Sequence, residues 1–420
     1  MEIAGWLLFT CAVLTAFGAV AALVPGRHLG WGNVVWFFAA WPASELAPFA
    51  MLASAGLAAL LASWGAFATL PGRLGLALLV IAWCALVVVQ WRTRRARPVL
   101  EQALAATLGS DYGSIIAANR RAIGAEAVRV PEILRPFALR RPGVEWHRDI
   151  RYADDHPRQL LDVYTPDDAV LGAPVLLQIH GGGWTFGDKR DQALPLVYYL
   201  AARGWIVVTP NYRLAPAVRF PAQLIDCKRA LAWIRRSVHE FGGDRDFVAV
   251  TGGSAGGHLA ALVALTANRS ELQPGFEDVR TDVSACVPLY GVYDFPDRSG
   301  LRRDGGAMTD WLARKVMPCR PADDPALWAL ASPVAEVHGG APPFFVLHGT
   351  HDSLAKVEEA QHFVRCLREI SRQPVAYAEL PGAQHAWDLF RTPRALETVH
   401  AVARFLEWAR AADAAVTRAA

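Results

Sequence analysis

Across its first 91 residues the chain carries four charged side chains: Glu2, Arg27, Glu45 and Arg73. A fold that meets water over its whole surface needs more charge than that, so this stretch calls for an apolar solvent. The other 77 of the chain's 81 charges fall in the remaining 329 residues, about 23%, which is an ordinary soluble composition. Ile3–Val24 is an uncharged run of 22 residues, long enough to cross the hydrocarbon of a bilayer as a helix. Leu46–Leu70 is a second such run and Leu74–Trp91 a third, of 18 residues. Trp31–Ala43, broken by Pro42, reads as an interfacial segment or as the start of the second helix. Three spans are therefore expected, or four if that stretch crosses by itself. Trp6, Trp31 and Trp91 lie near run ends, where indoles favour the headgroup level. No basic stretch precedes Ile3 and further apolar runs follow, so the first run reads as a span and not as a cleaved signal.

Directly after the third run come Arg92, Arg94, Arg95 and Arg97. Such a cluster marks the cytoplasmic side of a membrane exit, which places the N-terminus outside and everything after residue 92 inside. Residues 92–144 read as a basic juxtamembrane connector, with helical stretches around Val99–Leu108 and Ser114–Ile123 and with Pro131, Pro136 and Pro142 as breakers. The net charge of +3 forms no basic face, so no nucleic-acid partner is expected. The six Cys are scattered without C-x-x-C spacing and read as free thiols.

From about Glu145 to residue 412 the pattern changes. Short apolar runs at Pro174–His180, Trp205–Thr209, Phe247–Thr251, Val283–Leu289, Pro343–Leu347 and Val375–Leu380 alternate with segments of helix length. The fold class expected is α/β, a mostly parallel sheet covered by helices on both faces. Ligands in such sheets sit beyond the carboxyl ends of the strands, so the residues just after each run are the ones that matter.

After Phe247–Thr251 stands Gly252-Gly253-Ser254-Ala255-Gly256, a G-x-S-x-G in strand-turn-helix context. That turn exposes a serine hydroxyl at a strained position, the nucleophile elbow. After Pro174–His180 stands His180-Gly-Gly-Gly-Trp184, whose glycines free backbone N–H groups to face an anion. Gly182 and Gly183, together with the N–H of Ala255, are the candidate oxyanion donors. A base and its orienting acid must follow in the order Ser, Asp/Glu, His. His385 lies just past the last strand, and Asp352, in His348-Gly-Thr-His-Asp352, follows Pro343–Leu347. Asp294 competes for the acid, and His348 and His351 are second choices for the base. His180 and His258 read as structural. Ser254, Asp352 and His385 thus form the candidate charge-oriented nucleophile. There is no H-E-x-x-H, paired Cys/His spacing or G-x-G-x-x-G, so neither a metal nor another cofactor is implied.

Together with HGGGW and HGTHDSL, Asp162-Val-Tyr-Thr-Pro166, Asn211-Tyr-Arg-Leu-Ala-Pro216 and GGSAGGHLA (252–260) resemble the α/β-hydrolase carboxylesterases. The nearest groups are the hormone-sensitive-lipase-like family and related esterases, among them arylformamidases and prenylcysteine methylesterases. A membrane-anchored carboxylesterase/lipase of actinobacterial type matches best. The resemblance covers roughly residues 145–410. It implies the α/β-hydrolase fold, hydrolysis of small-molecule or lipid esters through an acyl-enzyme, and the roles just given for Ser254, Asp352, His385, Gly182, Gly183 and Ala255. An amidase, an arylformamidase or a methylesterase would use the same triad, whereas a dead scaffold on this fold would typically lack its Ser or His. Lipase-like members usually have Asp where Gly253 stands, and their acid loop differs from HGTHDSL. Between Phe295 and Pro333 lies an insertion with Met308, Trp311, Leu312, Val316 and Met317 at helix-like spacing. It either caps the site, favouring short to medium acyl groups, or packs as a long connection.

Overall fold

The computed structural model describes residues 1–26, 32–118, 120–168 and 170–419. Arg27 and Trp31 lie outside them. Among the described residues two helices are long and apolar enough to cross a membrane, Glu2–Leu23 and Leu70–Leu108. A third span results if the helices Gly32–Glu45 and Ala47–Ser63, which meet at 92°, act as one. The two long helices run in the same direction. A Cβ on Gly5 would stand 2.0 Å from Thr69 Oγ1 at one end, and at the other Arg92 Nη1 donates to Leu23 O at 3.2 Å. Small residues permit that approach: a Cβ on Gly75 would lie 2.8 Å from the Phe9 backbone.

The expected connector helix around Ser114–Ile123 does not form. Tyr112–Ser114 is a single 3-10 turn, and the chain beyond it follows irregular turns, with Ile116 and Ile123 serving as anchors in the core. Burying these two side chains against the sheet outweighs a helix propensity that Gly113 already weakens. The helix Ala96–Leu108 is present.

Eight strands follow: β1 (Val144–Arg151), β2 (Leu160–Pro166), β3 (Ala173–Ile179), β4 (Ile206–Pro210), β5 (Gly243–Gly253), β6 (Ala285–Leu289), β7 (Phe344–Gly349) and β8 (Val375–Leu380). They form one sheet in the order β1-β2-β4-β3-β5-β6-β7-β8, antiparallel only at β1–β2 and β2–β4. β3 illustrates why both faces are covered. Val175, Leu177 and Ile179 point to the core shared with Ala222–Ser237, Ala255–Leu265 and Val357–Ile370, while Leu176 points to the core under Leu194–Ala201 and Pro393–Ala419. Because β3, β5, β7 and β8 are parallel, their carboxyl ends share one edge of the sheet. The chain is an α/β-hydrolase fold preceded by apolar helices.

Candidate active site

Ser254 follows the last residue of β5 and precedes the helix Ala255–Leu265, at φ +58° and ψ −123°. A non-glycine residue stays there only because its surroundings hold it, at a cost of roughly 1–3 kcal/mol. The neighbouring glycines let the turn close. A Cβ on Gly252 would stand 2.4 Å from Gly256 O, and one on Gly256 would stand 2.1 Å from Ile179 O.

Ser254 Oγ is 2.8 Å from His385 Nε2, and His385 Nδ1 is 2.7 Å from Asp352 Oδ2. With the Nδ1 proton donated to the carboxylate, Nε2 is the acceptor for the serine proton. The second Asp352 oxygen accepts from the N–H groups of Leu354 and Ala355, at 2.9 and 2.8 Å. His348 Nε2 lies 3.4 Å from Asp352 Oδ2 while donating to Ala355 O at 2.9 Å. Burial by itself would raise the Asp352 carboxyl, but His385 and His348 beside it hold it well below the usual carboxylate range. Burial likewise opposes a charge on His348, and the Asp352 carboxylate outweighs it, raising that imidazole.

The two loops that carry the acid and the imidazole are laced together. His351 N donates to Ala383 O at 3.0 Å, and Ser353 N donates to Gln384 Oε1 at 2.8 Å. After β3, Gly182 and Gly183 adopt φ of +103° and +54°. Their N–H groups and that of Ala255 donate to no partner among the described residues. A Cβ on Gly181 would meet Gly253 O at 2.6 Å, so this loop lies against the elbow. Unengaged amides beside a serine hydroxyl can receive an oxyanion.

The structure therefore brings Ser254, His385 and Asp352 together; of the competitors only His348 is in the cluster, and it lies against Asp352 with its Nε2 bonded to Ala355 O. Asp294 accepts from Ser299 N at 2.8 Å, away from the imidazole. His258 accepts from Trp184 Nε1 and donates to Ala331 O, and burial pushes its pKa down to about 3. His180 stacks on Tyr212 and is pushed down to about 4 by burial. His351 Nδ1 donates to Ala22 O at 3.1 Å. In the insertion, Leu312, Val316 and Met317 join the core, and Trp311 reaches the oxyanion loop, 3.3 Å from where a Gly183 Cβ would be.

Two features escaped the sequence reading. The space over Gly253 is filled by the Tyr290 hydroxyl, 2.4 Å from a would-be Cβ. That hydroxyl donates to buried Asp388, whose carboxyl burial raises, and the Tyr290 ring lies edge-on to His385 at 4.7 Å. The glycine was itself a signal that another side chain must take the space. The second feature comes from the apolar region. Phe37 meets the His385 ring at 6.1 Å, and Trp41 Nε1 donates to Ala386 O at 2.9 Å. No local pattern around Phe37 points to a histidine 348 residues further on.

A family model described as BD-FAE matches residues 161–367. The chain is 46% identical over 316 residues to the probable carboxylic ester hydrolase LipM of Mycobacterium tuberculosis, covering 74% of this chain and 73% of that one. It is 41% identical to esterase LipQ of the same organism, over 75% of each chain. Among solved structures, esterase B of Lactobacillus rhamnosis inhibited with a tributyrin phosphonate superimposes with a TM-score of 0.55 at 26% identity. That match covers 66% of this chain and 90% of the other. With this elbow on this sheet, and with that extent of identity, the chain belongs to the α/β-hydrolase family of carboxylic ester hydrolases and is an enzyme of the esterase type.

Proposed function

We propose that this protein hydrolyses carboxylic esters through an acyl-Ser254 intermediate. The observation that supports it most is the unbroken hydrogen-bonded chain from Ser254 Oγ through His385 to Asp352. In this reading His385 Nε2 takes the Ser254 proton as Oγ attacks the ester carbon. The oxyanion settles against the N–H groups of Gly182, Gly183 and Ala255, while Asp352 stabilises the imidazolium. The imidazolium then gives its proton to the leaving alcohol as the carbon–oxygen bond breaks, and water activated by the same nitrogen releases the acid. Trp311 against the oxyanion loop shortens the space available to the acyl group, so short to medium acyl esters are favoured.

Fluorophosphonate labelling followed by peptide mapping tests the nucleophile directly. Label on Ser254, with Ser254→Ala folded but slower by on the order of 10⁴-fold or more, is the expected result. Turnover by Ser254→Ala within about tenfold of the wild type would end the assignment. Rates on p-nitrophenyl esters of increasing acyl length, run on the same preparation, should peak at a short to medium chain.

Residues 1–91 act in this reading as a multi-pass anchor, 92–144 as a connector and 145–412 as the catalytic domain. The catalytic side is cytoplasmic, because Arg92, Arg94, Arg95 and Arg97 abut the last span. Alkaline phosphatase fused after residue 97 should be inactive. An active fusion would invert the topology.

A further inference from the structure

The anchor does more than hold the catalytic domain at a membrane, because one of its helices forms part of the active-site rim. The Asp352 loop sits at the end of the first crossing helix: His351 donates to Ala22 O, and Lys356 Nζ to Gly26 O at 3.3 Å. From there Gly32–Glu45 runs past the catalytic imidazole and is fastened to both triad loops. Ser353 Oγ donates to Asn33 O at 3.1 Å on the acid side, and Trp41 Nε1 bonds Ala386 O on the imidazole side. At its far end buried Glu45 pairs with Arg394 and accepts from Thr392 Oγ1 at 2.9 Å. The helix then turns by 92° into Ala47–Ser63, so it lies athwart the next helix instead of continuing it. Its free face is apolar: Val35 and Phe38 are 62% and 64% exposed, and Phe37 between them covers His385.

Which half of an ester this helix would meet follows from the chemistry. The imidazole hands its proton to the leaving oxygen, so the alcohol half of the ester leaves beside His385 Nε2. The carbonyl oxygen faces the oxyanion amides, and the acyl chain leaves the same carbon on the side turned from His385; Trp311 stands against the oxyanion loop on that side. The apolar helix is therefore on the alcohol side, and the short wall is on the acyl side.

We infer that the site is built for short-acyl esters of membrane-resident, long-chain alcohols, with the alkyl chain entering along the Gly32–Glu45 helix and Phe37 as a specificity-determining residue. This rests on the hydrolase reading above. The bond broken is the ordinary one: Ser254 Oγ displaces the alkoxide, which leaves with the proton from His385, and water completes the hydrolysis. The alcohol product stays in the bilayer and the short acid departs into water.

The test uses the full chain in phosphatidylcholine vesicles, with hexadecyl butyrate and ethyl palmitate as esters of opposite polarity and p-nitrophenyl butyrate as a soluble reference. Hexadecyl butyrate should be turned over faster than ethyl palmitate. The ratio of hexadecyl butyrate to p-nitrophenyl butyrate turnover should fall about tenfold or more in Phe37→Glu, because a charge on the rim opposes an alkyl chain. Phe38→Glu, on an exposed position, keeps the test available if Phe37→Glu does not fold. Fluorophosphonate labelling of every variant separates the two levels. Failure of the wild type to label would remove the hydrolase reading itself. Labelling with ethyl palmitate preferred, or with the ratio unmoved in the labelled variant, would overturn the alcohol-side inference and leave the hydrolase reading standing.

Discussion

Glycine does one thing in the N-terminal helices and another in the hydrolase domain. Gly75 has an ordinary helical backbone and is needed for closeness alone: a Cβ there would stand 2.8 Å from the Phe9 backbone, so it lets the Leu70–Thr93 helix press against the first helix. Gly182 holds a φ of +103° with Phe186 O 2.1 Å from any added Cβ, so one residue type alone fits. Charge divides the two regions in the same way. In the hydrolase domain Asp352 is held by two histidines and two amides that lie on the end of β7 and one pair of loops beyond it. In the helices the buried carboxylate of Glu45 finds its partner, Arg394, some 349 residues away. A region organised by surface packing is sensitive where backbones touch and depends on a few long-range ties, whereas a region organised by aimed atoms is sensitive wherever a donor or acceptor must point.

The largest effect that would break this contrast is at the acid. Asp352→Asn should lower kcat/KM by roughly 10³–10⁴-fold, since the imidazole loses both its orientation and its counter-charge. Asp294→Asn keeps an acceptor for Ser299 N and should stay within about fivefold of the wild type. The reverse order would move the acid to residue 294. The sign of the pH dependence also follows. The folded state holds the Asp352 carboxyl below its unfolded value, so the stability it contributes is fully present above about pH 4 and is lost only as the pH falls through the lower folded value. Thermal unfolding scans from neutral pH downward should show no loss traceable to Asp352 until strongly acid conditions.

The next effect tests the tie between the regions. Glu45→Ala leaves the Arg394 guanidinium buried without its carboxylate and should cost about 3–5 kcal/mol of stability, read as a drop in the denaturant midpoint. Truncating the exposed Glu2, at the start of the first apolar helix, should cost within about 0.5 kcal/mol. Equal effects would mean that Glu45 is a surface charge like any other.

These contrasts also mark what the sequence could disclose. The strand ends, the elbow and the order Ser254, Asp352, His385 are legible because each is a local pattern with a local cause. Helix existence in the first 91 residues is legible from missing charge, by the same logic. β1 and β2 were not: β1 is an edge strand without a fully buried residue, and in β2 the buried Asp162 interrupts the apolar run that marks β3 or β7. The break after Ser63 was not legible either, since the run Leu46–Leu70 reads as one apolar stretch while the chain divides it into Ala47–Ser63 and a 3-10 turn at Ala66–Ala68. Least legible of all was the partnership of Phe37 with His385, which exists only once the two regions are packed together.

The last effect probes the space over Gly253, directly before the nucleophile. A Cβ there would collide with the Tyr290 hydroxyl, which is fixed by its bond to Asp388 and cannot move without breaking it. Gly253→Ala should therefore cost about 1–3 kcal/mol, the usual result of adding a methyl to a packed core. Tyr290→Phe removes the bond to Asp388 and has its own cost, but it also removes the nearest of the three Tyr290 atoms that the new methyl would strike and frees the ring to shift away from the other two. The two losses should thus fail to add: the double variant should be more stable than their sum by about 0.5–3 kcal/mol. Denaturant melts of the four proteins, with fluorophosphonate labelling to follow Ser254 in each, measure that coupling. Additive losses would show that the glycine answers to the turn itself and not to the tyrosine above it.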